Sequence, residues 1–360
     1  MKLQSEISRS IAFVFILSVA ASKVTGQPGL LKNDLFESND LLTITLKGST
    51  RDLLNNRYGE SKKFPFTLSF INEDNATVTM PVDVKTRGHF RRMSENCSYP
   101  PLLIEFSKDS RHLSTIFKEQ VKLKLVMPCR GDEYIIREWL VYKLYNLITP
   151  FSFRARLVKV DLEDSNNKKK YTPLTGLLLE EEDQMAKRNK ATAVEAKIAP
   201  QQTRVNEFLT MAVFQYLIGN TDWSVQYLQN IKLLIDDTNS LPVTVAYDFD
   251  HAGLINAPYA KPEEALQMNS IRQRRYRGYC IANLSVFNNI ISKFNDLKDK
   301  IYKLYTGCSL LDAKYIKSTI QYLDEFYATI NNTKAWQKAF AYPCDKNGTG
   351  NVVIKGLKED

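Results

Sequence analysis

The sequence predicts an α+β protein, strand-rich in its first half and helical in its second. Three observations carry this. Apolar and polar residues alternate with period two in several runs between 41 and 180, a helical stripe begins at Val205, and two more helical stripes fill 284–305 and 310–330. Composition agrees with a folded chain, because 44% hydrophobic and 25% charged residues over 360 positions match globular usage and exclude wholesale disorder or a collagen-like repeat.

Lys2 and Arg9 precede an apolar stretch at 11–21. It is shorter than the ~20 residues of a membrane-spanning helix but suits the core of a signal peptide, and small residues follow it. Residues 1–26 are therefore expected to be a cleaved leader, and the mature chain to be secreted or periplasmic without a membrane span. Strands are expected at 41–47 (LLTITLK), 77–85 (TVTMPVDVK), 102–106, 121–126, 156–162 and 174–180. One helix interrupts them over 134–148, where Ile135, Trp139, Tyr142, Leu144 and Tyr145 recur at helical spacing. This gives a strand-rich N-terminal lobe at 27–185, a polar connector at 186–203 and a helical C-terminal lobe at 204–360.

In the last of these, Val205, Phe208, Leu209, Ala212, Val213, Tyr216 and Leu217 form an amphipathic stripe that Gly219 and Asn220 terminate. Strands at 228–235 and 241–247 flank a turn-rich segment, and the two remaining helices follow.

Five cysteines stand at 97, 129, 280, 308 and 344 with no CxxC pair, so a structural zinc site is set aside. An oxidising compartment favours disulfides, and Cys97 with Cys129 and Cys280 with Cys308 are the expected pairs, leaving one free thiol. The charge of +9 suits anionic ligands such as nucleotide phosphates or an acidic substrate and requires no nucleic acid. Arg272, Arg274, Arg275 and Arg277 read as a solvated basic face, with an acidic-partner site as the sharper alternative.

The chemistry concentrates in 219–253. Alternation at the end of the 241–247 strand would put Asp248 and Asp250 on one face and Phe249 on the other. Oxygen ligands favour hard cations, so Mg²⁺ or Mn²⁺ is the implied metal, bound through few carboxylates plus substrate phosphates. The order of helix, loop Asp222, Asn230, hairpin and Asp248 is also the order of catalytic carboxylate and metal ligands in protein kinases. A haloacid dehalogenase-like phosphatase, which also places Asp-x-Asp after an apolar strand, ranks lower because this motif lies near residue 250 with mainly helix after it.

The residues Asn220, Thr221, Asp222, Trp223, then Asn230, Ile231, Lys232, then Tyr247 to Asp250 resemble the C-terminal signature of the spore-coat CotH kinase family of secreted atypical protein kinases. Upstream, 84–88 (VKTRG) is similar to its Arg-Gly loop, 121–125 (VKLKL) to its Lys-bearing strand and 175–183 (TGLLLEEED) to its Gly-to-Glu strand. The loop between Asp222 and Asn230 is two or three residues longer than the family's. The resemblance implies a two-lobed protein-kinase-like fold that moves the γ-phosphate of ATP to a Ser or Thr hydroxyl of a protein substrate. It further implies Asp222 as catalytic carboxylate, Asn230 and Asp248 as metal ligands and Asp250 as a supporting or alternative ligand. Lys124 or Lys122 would contact phosphate, Glu138 and Glu180 are candidates to pair with that lysine, and Arg87, Arg91 and Arg92 would lie near the phosphates. A pseudokinase-like binding protein is the alternative function.

Overall fold

A computed structural model describes residues 35–107, 115–166, 170–236 and 241–346. The leader expected at 1–26 lies outside them. Seven strands close into a barrel: β1 (Leu42–Gly48), β2 (Phe64–Ile71), β3 (Thr77–Thr86), β4 (Leu102–Phe106), β5 (Lys122–Val126), β6 (Ala155–Asp164) and β7 (Leu174–Leu179), in the spatial order β1-β2-β3-β4-β5-β7-β6. A short helix, α1 (Thr50–Asn55), follows β1, and a long one, α2 (Asp132–Ile148), follows β5. The ring is closed by a parallel pairing of β1 with β6, from Leu42 opposite Val158 to Gly48 opposite Asp164.

This overturns the two-lobed protein-kinase-like fold, while the α+β class stands. The N-terminal sheet is a closed barrel because β1 returns to β6 across more than half of the strand-rich region, a contact that local alternation cannot signal. The sequence reading also passed over β2, whose Phe66, Leu68 and Phe70 alternate into the barrel beside Leu42, Ile44 and Leu46 of β1. Gly48 is obligatory where it pairs with Phe66, since a Cβ there would fall on the Phe66 ring.

Two strands are covered on both faces. Val158, Val160, Leu174 and Leu178 point into the barrel, whereas Leu157, Leu177 and Leu179 join a second, larger core. That is why 174–179 reads as a nearly continuous apolar run. Helix α2 lies against this outer surface and buries residues around most of its circumference, from Ile135 and Ile136 through Tyr142 and Tyr145 to Ile148.

The C-terminal half continues the larger core. It comprises α3 (Glu182–Arg188), β8 (Thr192–Val194), α4 (Val205–Ile218), β9 (Ile231–Ile235), β10 (Val243–Ala246), α5 (Phe287–Asp296), α6 (Lys298–Thr306), α7 (Ala313–Ile330) and α8 (Thr333–Phe340). Strand β8, inside the stretch read as a connector, pairs with β9, which pairs with β10, all antiparallel. Helix α4 is more deeply set than an amphipathic stripe implies: every residue from Phe208 to Ile218 is buried. The helix expected over 284–305 is two helices that meet at Leu297. Among the described residues no helix is long and apolar enough to cross a membrane.

Cys97 and Cys129 form the expected disulfide. Cys280 pairs with Cys344 rather than Cys308, because the turn after α8 brings Cys344 back beside the 275–280 segment, and Cys308 keeps a free thiol. The basic cluster is not a solvated face either. Arg272 and Arg274 lie over the Tyr322 ring at 4.5 and 3.5 Å, Arg275 over Tyr342 at 4.2 Å and Arg277 over Trp223 at 5.6 Å. Their guanidinium groups stitch the segment to the helices and to the α4–β9 loop.

Candidate active site

Gly219 adopts a left-handed conformation, φ 67°, and stops α4 by satisfying its last carbonyls. The chain then folds around Asn220, whose buried side chain accepts the Asp222 N–H (3.0 Å) and donates to Gln215 Oε1 (3.0 Å). Trp223 Nε1 donates to the Asn220 carbonyl (3.2 Å), and Arg277 donates to the carbonyls of Thr221 (2.6 Å) and Trp223 (2.7 Å). Asp222 is thus fixed by its backbone on both sides. Its carboxylate accepts from the Gln229 amide at Oδ1 and from Asn230 Nδ2 at Oδ2 (3.1 Å), while Asn230 also donates to the Asp222 carbonyl (2.8 Å).

The longer loop between Asp222 and Asn230 therefore does not separate them. Ser224 and Gln229 exchange backbone hydrogen bonds of 2.9 and 3.0 Å, so the intervening residues bulge out as a miniature hairpin and return the chain to its starting point. Left-handed backbone at Leu228 and Asn230 makes that return.

Asp248 and Asp250 arrive differently from the expected strand alternation. Strand β10 ends at Ala246, and Asp248 is itself left-handed, φ 59°. Its N–H donates to the Tyr142 hydroxyl of α2 (2.9 Å), and Phe249 is fully buried against Tyr142, Tyr145 and Phe214. Anchoring Phe249 still leaves the flanking carboxylates together, as their electrostatics record. Burial and then Asp250 push the Asp248 carboxyl up to about 6, against Arg91 and Arg87, with Asp222 adding to the rise. Burial likewise raises Asp222, with Asp250 in the same sense and His251 opposing.

Arg91 ties the barrel's loop to this cluster. It lies 3.4 Å from Glu138 Oε2 and 3.5 Å from Asp250 Oδ2, and it donates to the Met127 carbonyl (3.2 Å). Tyr259 also donates to Asp250 Oδ2 (3.1 Å). Burial holds Glu138 up to about 8 despite Arg91, with Asp250 and Asp248 reinforcing the shift. Glu138 thus pairs with Arg91 and not with the strand lysine, because it faces inward from α2 toward the Arg-Gly segment. Phe90 of that segment meets His251 and Tyr259 edge-on and tilted, at 6.2 and 5.9 Å.

A second group of charges surrounds Lys124. Lys124 on β5 is half-buried, and burial lowers its pKa; Glu181 opposes this, and Arg87 and Lys232 reinforce it. Lys122, two residues back, is exposed. Glu180 is not the partner of either lysine: it accepts from Arg188 (3.1 and 2.9 Å) and from the Arg154 N–H (2.8 Å). The residue that faces Lys124 is Glu181, just past the strand end, whose pKa is raised by burial against the pull of Lys124, Arg87 and Lys122. Its Oε1 is buried without a hydrogen-bond partner among the described residues. Lys232 of β9 pairs with Glu182 at 2.7 Å.

The fold therefore brings Asp222, Asn230, Asp248 and Asp250 together, adds Arg91 and Glu138, and sets Arg87 within electrostatic reach of both Asp248 and Lys124. It directs Glu180 elsewhere and leaves Lys122 at the margin. Gln229, Arg91's bridging role, Tyr142, Glu181 and Arg277 were not singled out from the sequence for these roles. Glu181 had a local signal, standing beside Glu180 in an acidic run, but only the strand's end decides between them. Among the described residues no three His, Cys, Asp or Glu side chains are grouped closely enough to hold a metal by themselves. Comparison with protein-family models and with curated proteins returned no match.

Proposed function

We propose that this chain is a metal-dependent phosphotransferase that moves the γ-phosphate of ATP to a Ser or Thr hydroxyl of a protein substrate. The observation that carries the reading is an acidic cluster, Asp222, Asp248 and Asp250, met by Arg91 at 3.5 Å from Asp250 and by the charge of Arg87 on Asp248, with Arg87 also acting on Lys124. A nucleotide's phosphates call for the cations and its metal for the carboxylates. The order of motifs resembling the CotH kinase family supports the same reading.

The donor set fits Mg²⁺ or Mn²⁺. Asp248 and Asn230 supply oxygen ligands, and the raised Asp248 carboxyl is the signature of negative charge without enough compensation. With so few ligands, phosphate oxygens would complete the coordination. When bound, the ion neutralises charge on the transferring phosphoryl group. Asp222, held on both carboxylate oxygens by Gln229 and Asn230, orients the acceptor hydroxyl. Lys124 and Arg87 bind phosphate, with Glu181 positioning Lys124. Secretion or periplasmic residence accords with the two disulfides and the expected leader. The haloacid dehalogenase reading is not retained, because the sheet that delivers Asp248 is antiparallel.

The mature chain, incubated with γ-labelled ATP and Mg²⁺ or Mn²⁺, should label itself or a generic protein substrate. Asp222→Asn and Asp248→Asn should each lower the rate by about 10²-fold or more. Metal-dependent nucleotide binding without transfer would instead mark a binding protein of the pseudokinase kind. Wild-type protein that shows neither transfer nor a metal-dependent nucleotide shift in melting temperature would overturn the reading.

A further inference from the structure

One end of the barrel contains a cavity of about 320 Å³ that shares no lining residue with the acidic cluster. Strand direction explains its position. β1 and β6 are parallel, and β2 is antiparallel to β1 and β3, so the first residues of β1, β3 and β6 meet the last residues of β2 at one mouth. The side chains that face inward there are Leu42, Phe70, Val78 and Arg156, each two positions outward from a barrel-core residue: Ile44, Leu68, Met80 and Val158.

Arg156 is the anomaly among them. It occupies an inward position of β6 where an apolar side chain would continue the core, and only 8% of its surface is exposed. Its guanidinium donates to two backbone carbonyls, those of Asp40 (3.2 Å) and Leu35 (2.9 Å); among the described residues it makes no ion pair within 4 Å, and the one carboxylate that acts on it is that of Asp40. A cation buried to this extent is normally paired with an anion. Here the neighbouring acid is the exposed Asp40 at the rim, and the guanidinium also borders an open cavity. Leu42, Phe70, Val78 and Ile116 give the cavity an apolar wall, while among the described residues its rim carries exposed Asp40, Glu73 and Asp74 together with Lys118.

We propose that this mouth binds a small apolar zwitterion, an amino acid with an aromatic or aliphatic side chain. Its carboxylate meets Arg156, its side chain lies against Phe70 and Val78, and its ammonium group faces the acidic rim. The order of charges from floor to rim, cation inside and acids outside, distinguishes this ligand from a plain carboxylate or a plain amine. The volume suits a ligand of this size, and barrel mouths are frequent sites of such binding.

The test is calorimetric titration of the mature chain with L-phenylalanine, 3-phenylpropionate and 2-phenylethylamine. Phenylalanine should bind best, the carboxylate lacking the amine about tenfold more weakly, and the amine lacking the carboxylate not measurably. Arg156→Gln should weaken both carboxylates by about tenfold or more. Because Arg156 also anchors the segment before β1, a second variant leaves it in place: Val78→Trp fills the cavity from its half-buried wall and should abolish binding while the chain still unfolds in one transition. No heat from any of the three ligands at millimolar concentration, equal binding of the acid and the amino acid, or unchanged binding by Val78→Trp would overturn the assignment.

Discussion

Asp248 concentrates the electrostatic conflict of the candidate site in one residue. Its carboxylate sits among Asp222 and Asp250, and among the described residues it makes no hydrogen bond or ion pair of its own. Its folded-state pKa, about 6, lies above the ordinary Asp value, so the folded chain holds this proton more tightly than the unfolded one. The associated stability is present below about pH 4 and is lost as pH rises through 6. Asp248→Asn removes the charge, and Asn also tolerates the left-handed backbone at this position. The variant should therefore be more stable than wild type at pH 7, on the order of 2 kcal/mol, with the difference vanishing near pH 4. Denaturant titrations at the two pH values measure it; a variant less stable at pH 7 would mean that the carboxylate has a stabilising partner. A gain in stability paired with lost transfer is the trade expected of a functional residue.

Residue-level chemistry was legible where residue type alone carries it. Asp222 and Asn230, eight positions apart, do meet by a hydrogen bond, and Asp248 lies near enough for Asp222 to act on its carboxyl. Partners were less legible, because they depend on where an element ends. Glu180 and Glu181 differ by one position in sequence, yet β7 stops at Leu179 and sends the first to Arg188 and the second toward Lys124.

Among the elements, those with strong local periodicity were readable and those defined by long-range closure were not. Helix α2 and strands β3, β4 and β5 lie within two residues of their expected bounds. The parallel β1–β6 seam and the Cys280–Cys344 link depend on contacts that no short window contains, whereas β2 was passed over although Phe66, Leu68 and Phe70 alternate locally. The disulfides make this testable. Non-reducing peptide mapping should recover Cys97–Cys129 and Cys280–Cys344, and one thiol per chain, Cys308, should react after denaturation. Replacing both cysteines of either pair with Ser should cost about 2–5 kcal/mol in thermal or denaturant unfolding. A Cys280–Cys308 peptide would contradict the packing of the segment after α8. At the junction between elements, Arg91→Ala strands Glu138 and Asp250 in a buried setting and should cost about 3–5 kcal/mol at pH 8. The loss should shrink toward pH 5, because Glu138, already held up to about 8, then takes up a proton.

At the scale of the whole molecule, the barrel and the C-terminal half are two cores that share walls. The barrel interior is one core, but the outer faces of β6 and β7 and nearly all of α2 belong to the other, together with α4, β9 and β10. Residues 27–185, read from the sequence as one lobe, thus contain a helix whose Tyr142 and Tyr145 pack on Phe249 and Phe214, beyond residue 185. Cutting the chain there would expose this surface to water, at roughly 1.5–3 kcal/mol for each large apolar side chain uncovered. A fragment spanning 35–185 should accordingly lack a cooperative unfolding transition and bind a hydrophobic dye, whereas the full chain should unfold in a single transition followed equally by near-ultraviolet and far-ultraviolet circular dichroism. If the fragment instead melts cooperatively, the barrel is an independent unit and α2 is a dispensable cover. The site would then be an interface between separable parts, free to open and close. If it does not, Asp250 and Arg91 meet within one continuous packed body, and a ligand of the candidate site would meet a preformed arrangement.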